Sequence, residues 1–232
     1  MSAEVKKEIE LELAHVLFID VVGYSKLLIN DQRALLDTLN QIVRSTDQFR
    51  KARIFLATAE RDPKAGLRAL ADLGKNTYGP DAILYTRAFG EGFFGRLKGD
   101  AVAAQAGFTK ARAEQQQIVN AQPDYAPAVC VLGLIDAGLG RKDEALREGR
   151  RAAELMPPSK DSINGAHIMQ VLAVIYAWVG EKDLALEQLQ RTVQIPGGAN
   201  YGNLRLWPHW DPFRGDPRFE KIVASLAPKA NP

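Results

Sequence analysis

Cysteine occurs once, at Cys130, and histidine three times, at His15, His167 and His209. A single cysteine cannot build a disulfide framework or a Cys-rich metal site, and it suits a reducing compartment. The histidines lie far apart in the sequence, and none has the short His/Glu/Asp spacing by which a helix presents two ligands to one ion. No metal and no cofactor are expected. Charge of one sign is also lacking: 30 basic against 28 acidic side chains leave a net charge of +2. That balance gives no field to draw in nucleic acid or an anionic membrane, so neither is expected as a partner. Long apolar runs are missing as well. The most apolar stretch, Ala14 to Val22, is broken by Asp20 and falls well short of the roughly 20 residues that cross a bilayer. The opening MSAEVKKEIELEL mixes acids, lysines and aliphatics, unlike a secretory signal. The expectation is a soluble, cytoplasmic protein.

What is present is enough apolar material for a core, 46% of 232 residues. From His15 to Val22, HVLFIDVV is dense in β-branched and aromatic residues and ends at Gly23, which predicts a buried strand and a turn. Over residues 30 to 60 the period changes. Leu35, Leu36, Leu39, Ile42 and Val43 recur at helical spacing with no proline before Pro63, predicting one long helix or two abutting ones. Beyond Pro63 every apolar segment is helical in pattern, separated by Gly, Asp and Pro, so antiparallel helical hairpins are expected.

Two of these hairpins share a register. Ala126 to Pro157 carries Val129, Leu132, Gly133, Ala145, Ala152 and Pro157, and Ala166 to Gly197 carries Met169, Leu172, Ala173, Tyr176, Ala185, Leu189 and Thr192. Both resemble the tetratricopeptide repeat, in which small residues let helices approach and larger ones fill the seam. In the first, Asp136 stands at the aromatic place and Gly149 at a large one. The turns Gly140-Arg-Lys-Asp143 and Gly180-Glu-Lys-Asp183 each place an expected capping aspartate before the next alanine. Upstream, Lys98-Gly99-Asp100 marks an equivalent turn, with Gly90 and Phe93 in the glycine and aromatic places of the helix before it. Three pairs are counted from Asp81, plus an irregular pair around residues 45 to 73. Past Pro196 comes a loop rich in Gly, Pro and Trp, then a helix from Asp216-Pro217 with Phe219, Ile222, Val223 and Leu226 on one side, read as a cap. The expected fold is all-α, a tetratricopeptide-type array (α-solenoid) with a short N-terminal strand and helix remnant. Its expected divisions are 1–51, 52–80, 81–197 and 198–232.

His15 to about Arg50 resembles the opening strand and helix of bacterial class III adenylate/guanylate cyclase domains, with Asp20, Gly23, Tyr24 and Ser25 on the family signature. The resemblance implies that Asp20 matches one of two metal-binding carboxylates. Cyclisation of a nucleoside triphosphate needs two ions between paired carboxylates. The Gly-Asp-Gly hairpin that holds the second is absent, and no strand is predicted after residue 60, so the segment is expected to be truncated and inactive. A lone strand leaves its backbone groups unpaired, so residues 1–29 are expected to be mobile, to pack as a helix, or to pair with a second copy in a homodimer.

Other signals have simpler readings. Gly90-Glu-Gly92-Phe-Phe-Gly95 spells a dinucleotide motif but lies within a helical pattern. Trp207, His209, Trp210 and Phe213 among prolines and arginines predict a loop pinned to the last hairpin rather than a base-stacking platform. Near Asp211, His209 lacks a nucleophile to serve. Cys130 reads as a packing residue.

Projecting the repeat register, the first helices would line a concave groove with Arg87, Glu91, Phe94, Cys130, Leu134, His167, Gln170, Val174 and Trp178. The expected function is a scaffold or adaptor in bacterial-type signalling that binds a protein or peptide and catalyses nothing. The alternative is a cyclase whose Asp20 is completed by a partner chain.

Overall fold

A computed structural model describes residues 29–228, and the chain divides into two compact units, Met1–Ala52 and Arg53–Pro232. The described part of the first unit holds α1 (Ile29–Ser45) and the start of α2 (Asp47–Ala59). The long apolar pattern is thus two helices, and the Thr46 hydroxyl marks the break by accepting from the Phe49 N–H at 3.3 Å. The second unit adds α3 (Pro63–Leu73), α4 (Arg87–Lys98), α5 (Ala101–Ala121), α6 (Ala126–Gly138), α7 (Lys142–Leu155), α8 (Asn164–Trp178), α9 (Lys182–Thr192), α10 (Tyr201–Leu206), a 3-10 segment (Pro208–Phe213) and α11 (Pro217–Ser225). Among the described residues there is no strand, only an isolated antiparallel bridge between Tyr78 and Tyr85. The fold is all-α. The strand predicted over His15–Val22 lies outside the described residues.

Four connections are copies of one turn. Arg61, Gly99, Gly140 and Gly180 have φ of 55°, 79°, 74° and 84°. In each, that residue's N–H donates to the carbonyl three back (Thr58, Arg96, Ala137, Ala177), and the next N–H donates to the carbonyl five before itself (Ala57, Gly95, Asp136, Tyr176). This is the Schellman closure, which satisfies the last carbonyls of a helix with a left-handed residue. Glycine takes that conformation without a Cβ penalty; Arg61 bears one. The turns join α2 to α3, α4 to α5, α6 to α7 and α8 to α9, at intervals of 38, 41 and 40 residues.

Asp62 and Asp100 cap the helices that follow, accepting from the N–H of Ala65 at 2.9 Å and Ala103 at 3.0 Å. Asp143 and Asp183 do not cap. They sit inside the first turns of α7 and α9, whose cap residues Arg141 and Glu181 make no side-chain cap bond. An acid there still favours the helix N-terminus through the backbone dipole.

In two hairpins the helices cross at a glycine seven positions before the turn glycine, Gly92 and Gly133, and Ala173 holds the same position before Gly180. A methyl on Gly107 would run into the backbone N and Cα of Gly92, and one on Gly133 would stand 3.0 Å from the Gly149 nitrogen. Gly90, expected to hold this place in α4, faces the preceding hairpin instead, where a methyl would meet Leu70 at 2.6 Å and the Tyr78 hydroxyl at 2.8 Å. The repeat register of α4 is therefore two residues later than the sequence suggested. The departures at Asp136 and Gly149 also have structural causes. Ile175 and Leu172 occupy the space a side chain on Gly149 would take, at 2.9 and 3.0 Å. Asp136 is fully buried and accepts from the Arg112 Nε at 2.6 Å.

Successive hairpins pack α3 on α4, α5 on α6 and α7 on α8, while α6 touches both α4 and α8. Beyond α9 the chain turns back, and α11 lies against α9 and α10 with Phe219, Ile222 and Val223 buried.

Candidate functional site

The repeated turn fixes which side chains stand side by side on the first helices. Six residues before each left-handed residue come Phe55, Phe93, Leu134 and Val174; ten before the last three come Phe89, Cys130 and Gln170. Phe55, Phe93, Leu134 and Phe89 meet at a recess, with Thr58, Tyr78, Tyr85, Trp207 and His209 completing its wall. The recess encloses about 40 Å³.

Aromatic packing shapes this wall. Tyr85 stacks on Phe89 at 4.5 Å, Tyr78 lies 5.5 Å from Tyr85, and Phe55 meets Tyr78 edge-on at 6.2 Å. The bridge between Tyr78 and Tyr85 holds that pair in place, with N–H donors at 3.0 and 2.6 Å. The far wall comes from the end of the chain. Trp207 packs 5.7 Å from Phe55, and His209 lies 5.1 Å from Phe93, edge to face. Trp178 backs both, stacked 6.3 Å from Phe93 and 5.6 Å from His209, with the Arg96 guanidinium 4.7 Å above it.

Trp207 and His209 are held from both ends. Behind them Trp210 and Phe213 are buried against Phe219, and the Trp210 indole donates to the Asn203 side chain at 3.2 Å. Ahead, Asp211 accepts a two-pronged contact from Arg61, at 2.6 and 3.1 Å, so the segment reaches the turn between α2 and α3. Both partners are about 40% exposed, so this pair orients the segment more than it stabilises the fold.

The wall is uncharged. Burial, aided by the nearby Arg96 charge and opposed by Asp211, presses the His209 imidazole down to about 4, so it is neutral at physiological pH. Its Nδ1 is buried without a hydrogen-bond partner. Burial holds the Tyr78 and Tyr85 hydroxyls protonated far above their usual range. The Thr58 hydroxyl donates to the Ile54 carbonyl at 2.9 Å.

The nine residues projected as a groove do not share one open face. Arg87 and Glu91 pair with each other at 2.8 Å and border a separate polar cleft with Lys75, Lys110 and Glu114. Phe94 is fully buried on the side of α4 that meets Gly66 of α3. The two-residue shift of α4 explains these three, and puts Phe89 and Phe93 on the inner face in their stead. Cys130, Leu134 and Val174 are on that face but buried, at 0%, 3% and 5% exposure, and only Leu134 reaches the recess. His167 and Gln170 are half-buried, His167 lying 3.3 Å from Asp81. Trp178 supports the wall from behind. The loop expected to pin to the last hairpin crosses from there to Phe55 and Arg61. Sequence reasoning missed Phe55, Tyr78, Tyr85 and Phe89; counting ten back from Gly99 would have found Phe89, whereas the turn residue that marks Phe55, Arg61, carries no glycine signal.

Among the described residues no group of three His, Cys, Asp or Glu could hold a metal ion, and no helix is long and apolar enough to cross a membrane. Asp20 lies outside the described residues. A scan against protein-family models and a search of curated proteins return no match to this chain.

Proposed function

We propose that this chain is a tetratricopeptide-type binding module, an adaptor in signalling that holds a protein or peptide partner and performs no chemistry on it. The observation that carries this reading is the fourfold turn. It gives Phe55, Phe93, Leu134 and Val174 the same position relative to the turn, of which the first three line the recess, and repeat arrays meet partners at equivalent positions of their first helices. A recess there with an uncharged wall supports recognition rather than catalysis.

Selection of a displayed peptide library on the full chain tests the proposal. Enriched peptides should share an apolar anchor, lose at least tenfold in affinity for Phe93→Ala and Trp207→Ala, and bind Glu187→Ala on the outside of α9 unchanged. No enrichment, or equal binding by all three variants, would reject it.

A further inference from the structure

Residues 74–86, which join α3 to α4, form the longest connection between successive hairpins; 122–125 and 156–163 make the other two. A connection of this length with no helix or strand of its own is usually there for function. Its tip closes on itself. The bridge between Tyr78 and Tyr85 forms the base, the Ile83 N–H donates to the Pro80 carbonyl at 2.9 Å, and Gly79 and Asp81 turn the chain with φ of 140° and 45°.

From that base the tip reaches α8, beyond the hairpin of α6 and α7 in chain order. The Asn164 side chain accepts from the Ala82 N–H at 3.1 Å, and the Asp81 carboxylate lies 3.3 Å from the His167 Nδ1. Asp161 fixes the acceptor. Its carboxylate takes the Asn164 Nδ2 at 2.8 Å and the Asn164 backbone N–H at 2.9 Å, which leaves the Asn164 Oδ1 for the tip.

Two features set this contact apart from core packing. Asp81 holds a left-handed backbone against its Cβ, and strain of that kind persists where surrounding contacts hold it, as in clamps. Both links to α8 are made by half-buried or exposed groups, so water can replace them. The tip also lands where the inner face is only partly covered: His167 and Gln170 are half-buried, whereas Cys130 and Val174 are sealed.

We propose that the tip, residues 79–84, is a built-in ligand: an autoinhibitory strap seated on the start of α8, which a loop of the same chemistry on a protein partner displaces. That loop presents a carboxylate to His167 and, on the next residue, a backbone N–H to Asn164. The proposal rests on the binding-module reading and adds the kind of segment that the module takes on α8. Tethering gives the strap an effective concentration on the order of millimolar, which keeps out a weaker free segment. Gly79 and the bridge form the hinge, so the tip lifts while Tyr78 and Tyr85 keep their places.

The probe is a peptide of residues 78–85, YGPDAILY, cyclised end to end to preserve the bridge, titrated into the full chain and read from the His167 ring signals in NMR. The double variant Asp81→Ala with Ala82→Pro removes the carboxylate and the N–H of the strap and leaves Asn164 and His167 in place. It should bind the peptide at least tenfold more tightly than the wild-type chain does. Adding Asn164→Ala, or replacing the peptide's own Asp81 by alanine, should reverse that gain. A double variant that folds, by circular dichroism, yet binds no better than wild type would overturn the proposal and make the tip a fixed part of the core. Hydrogen exchange in the wild-type chain decides independently of any variant. The Ala82 amide should exchange at least tenfold faster than the Tyr85 amide inside the bridge, and equal rates would show that the tip does not lift. Capture of the cyclic peptide with no enrichment from the displayed library leaves the strap standing and sinks the adaptor reading, whereas enrichment without cyclic-peptide binding sinks the strap alone.

Discussion

Replacing Gly107 by alanine is expected to cost about 2 kcal/mol of stability in urea denaturation, although the change improves helix propensity. In isolation glycine to alanine within a helix gains about 1 kcal/mol. At this position the new methyl meets the backbone N and Cα of Gly92, and neither can move without parting α4 from α5. Overpacking against backbone costs about 3 kcal/mol, and the difference is the expected net loss. Gly90→Ala is the matched control. Its methyl would meet the ends of the Leu70 and Tyr78 side chains, which can yield, so propensity and crowding nearly cancel to within about 1 kcal/mol. Equal losses at the two sites would mean that Gly90 is the crossing residue and that the inner face of α4 has been drawn on the wrong side.

A second large effect is expected in the hairpin of α6 and α7. Asp136 is fully buried, and its Oδ1 receives Arg112 at 2.6 Å and Arg141 at 3.2 Å. Its Oδ2 and the Oε2 of Glu148 are both sealed from water without another partner. Burial first, then the negative charge and hydrogen bond of Asp136, raise the Glu148 carboxyl to about 7, while Arg147 and Arg112 oppose the shift. One proton held by Glu148 and donated to Asp136 satisfies both carboxyls. Because the folded value lies above the ordinary 4.5, the folded chain binds this proton more tightly than the unfolded one. Its stabilisation is complete below about pH 4.5 and is lost as pH rises through about 7. Glu148→Gln keeps a neutral donor in place, and should make the melting temperature less dependent on pH between 5 and 8, most visibly by raising it at pH 8. Asp136→Ala should cost about 3 kcal/mol at pH 5, the lower end of the range for a broken buried pair, since Arg112 can turn to solvent, and less at pH 8, where it also removes the charge that repels an ionised Glu148. A wild-type chain equally stable at pH 5 and pH 8 would show that no proton is shared.

Local signals were readable from sequence. Gly99, Gly140 and Gly180 identified three of the four turns, because a left-handed residue closing a helix is nearly always glycine. The fourth was hidden because Arg61 takes the same conformation. In α4, glycines at 90, 92 and 95 offered three candidates for the helix crossing, and only contact with Gly107 distinguishes Gly92. The recess was less legible still. Trp207 and Phe55 come from opposite ends of the second unit, and no periodic pattern links residues joined only through packing and the pair between Arg61 and Asp211. The same blindness let Cys130 and Val174 be placed in an open groove: repeat register says which way a side chain points, and nothing about what covers it.

Cys130 offers the most direct test of that cover. It stands on the inner face of α6, fully buried, and burial pushes its thiol far above the usual range. In native buffer, reaction with a thiol-specific disulfide reagent should proceed only as fast as the chain unfolds, with denaturant accelerating it in step with the loss of helix. Complete reaction within seconds under native conditions would mean that the inner face of α6 is open to solvent, contrary to the packing that buries Cys130.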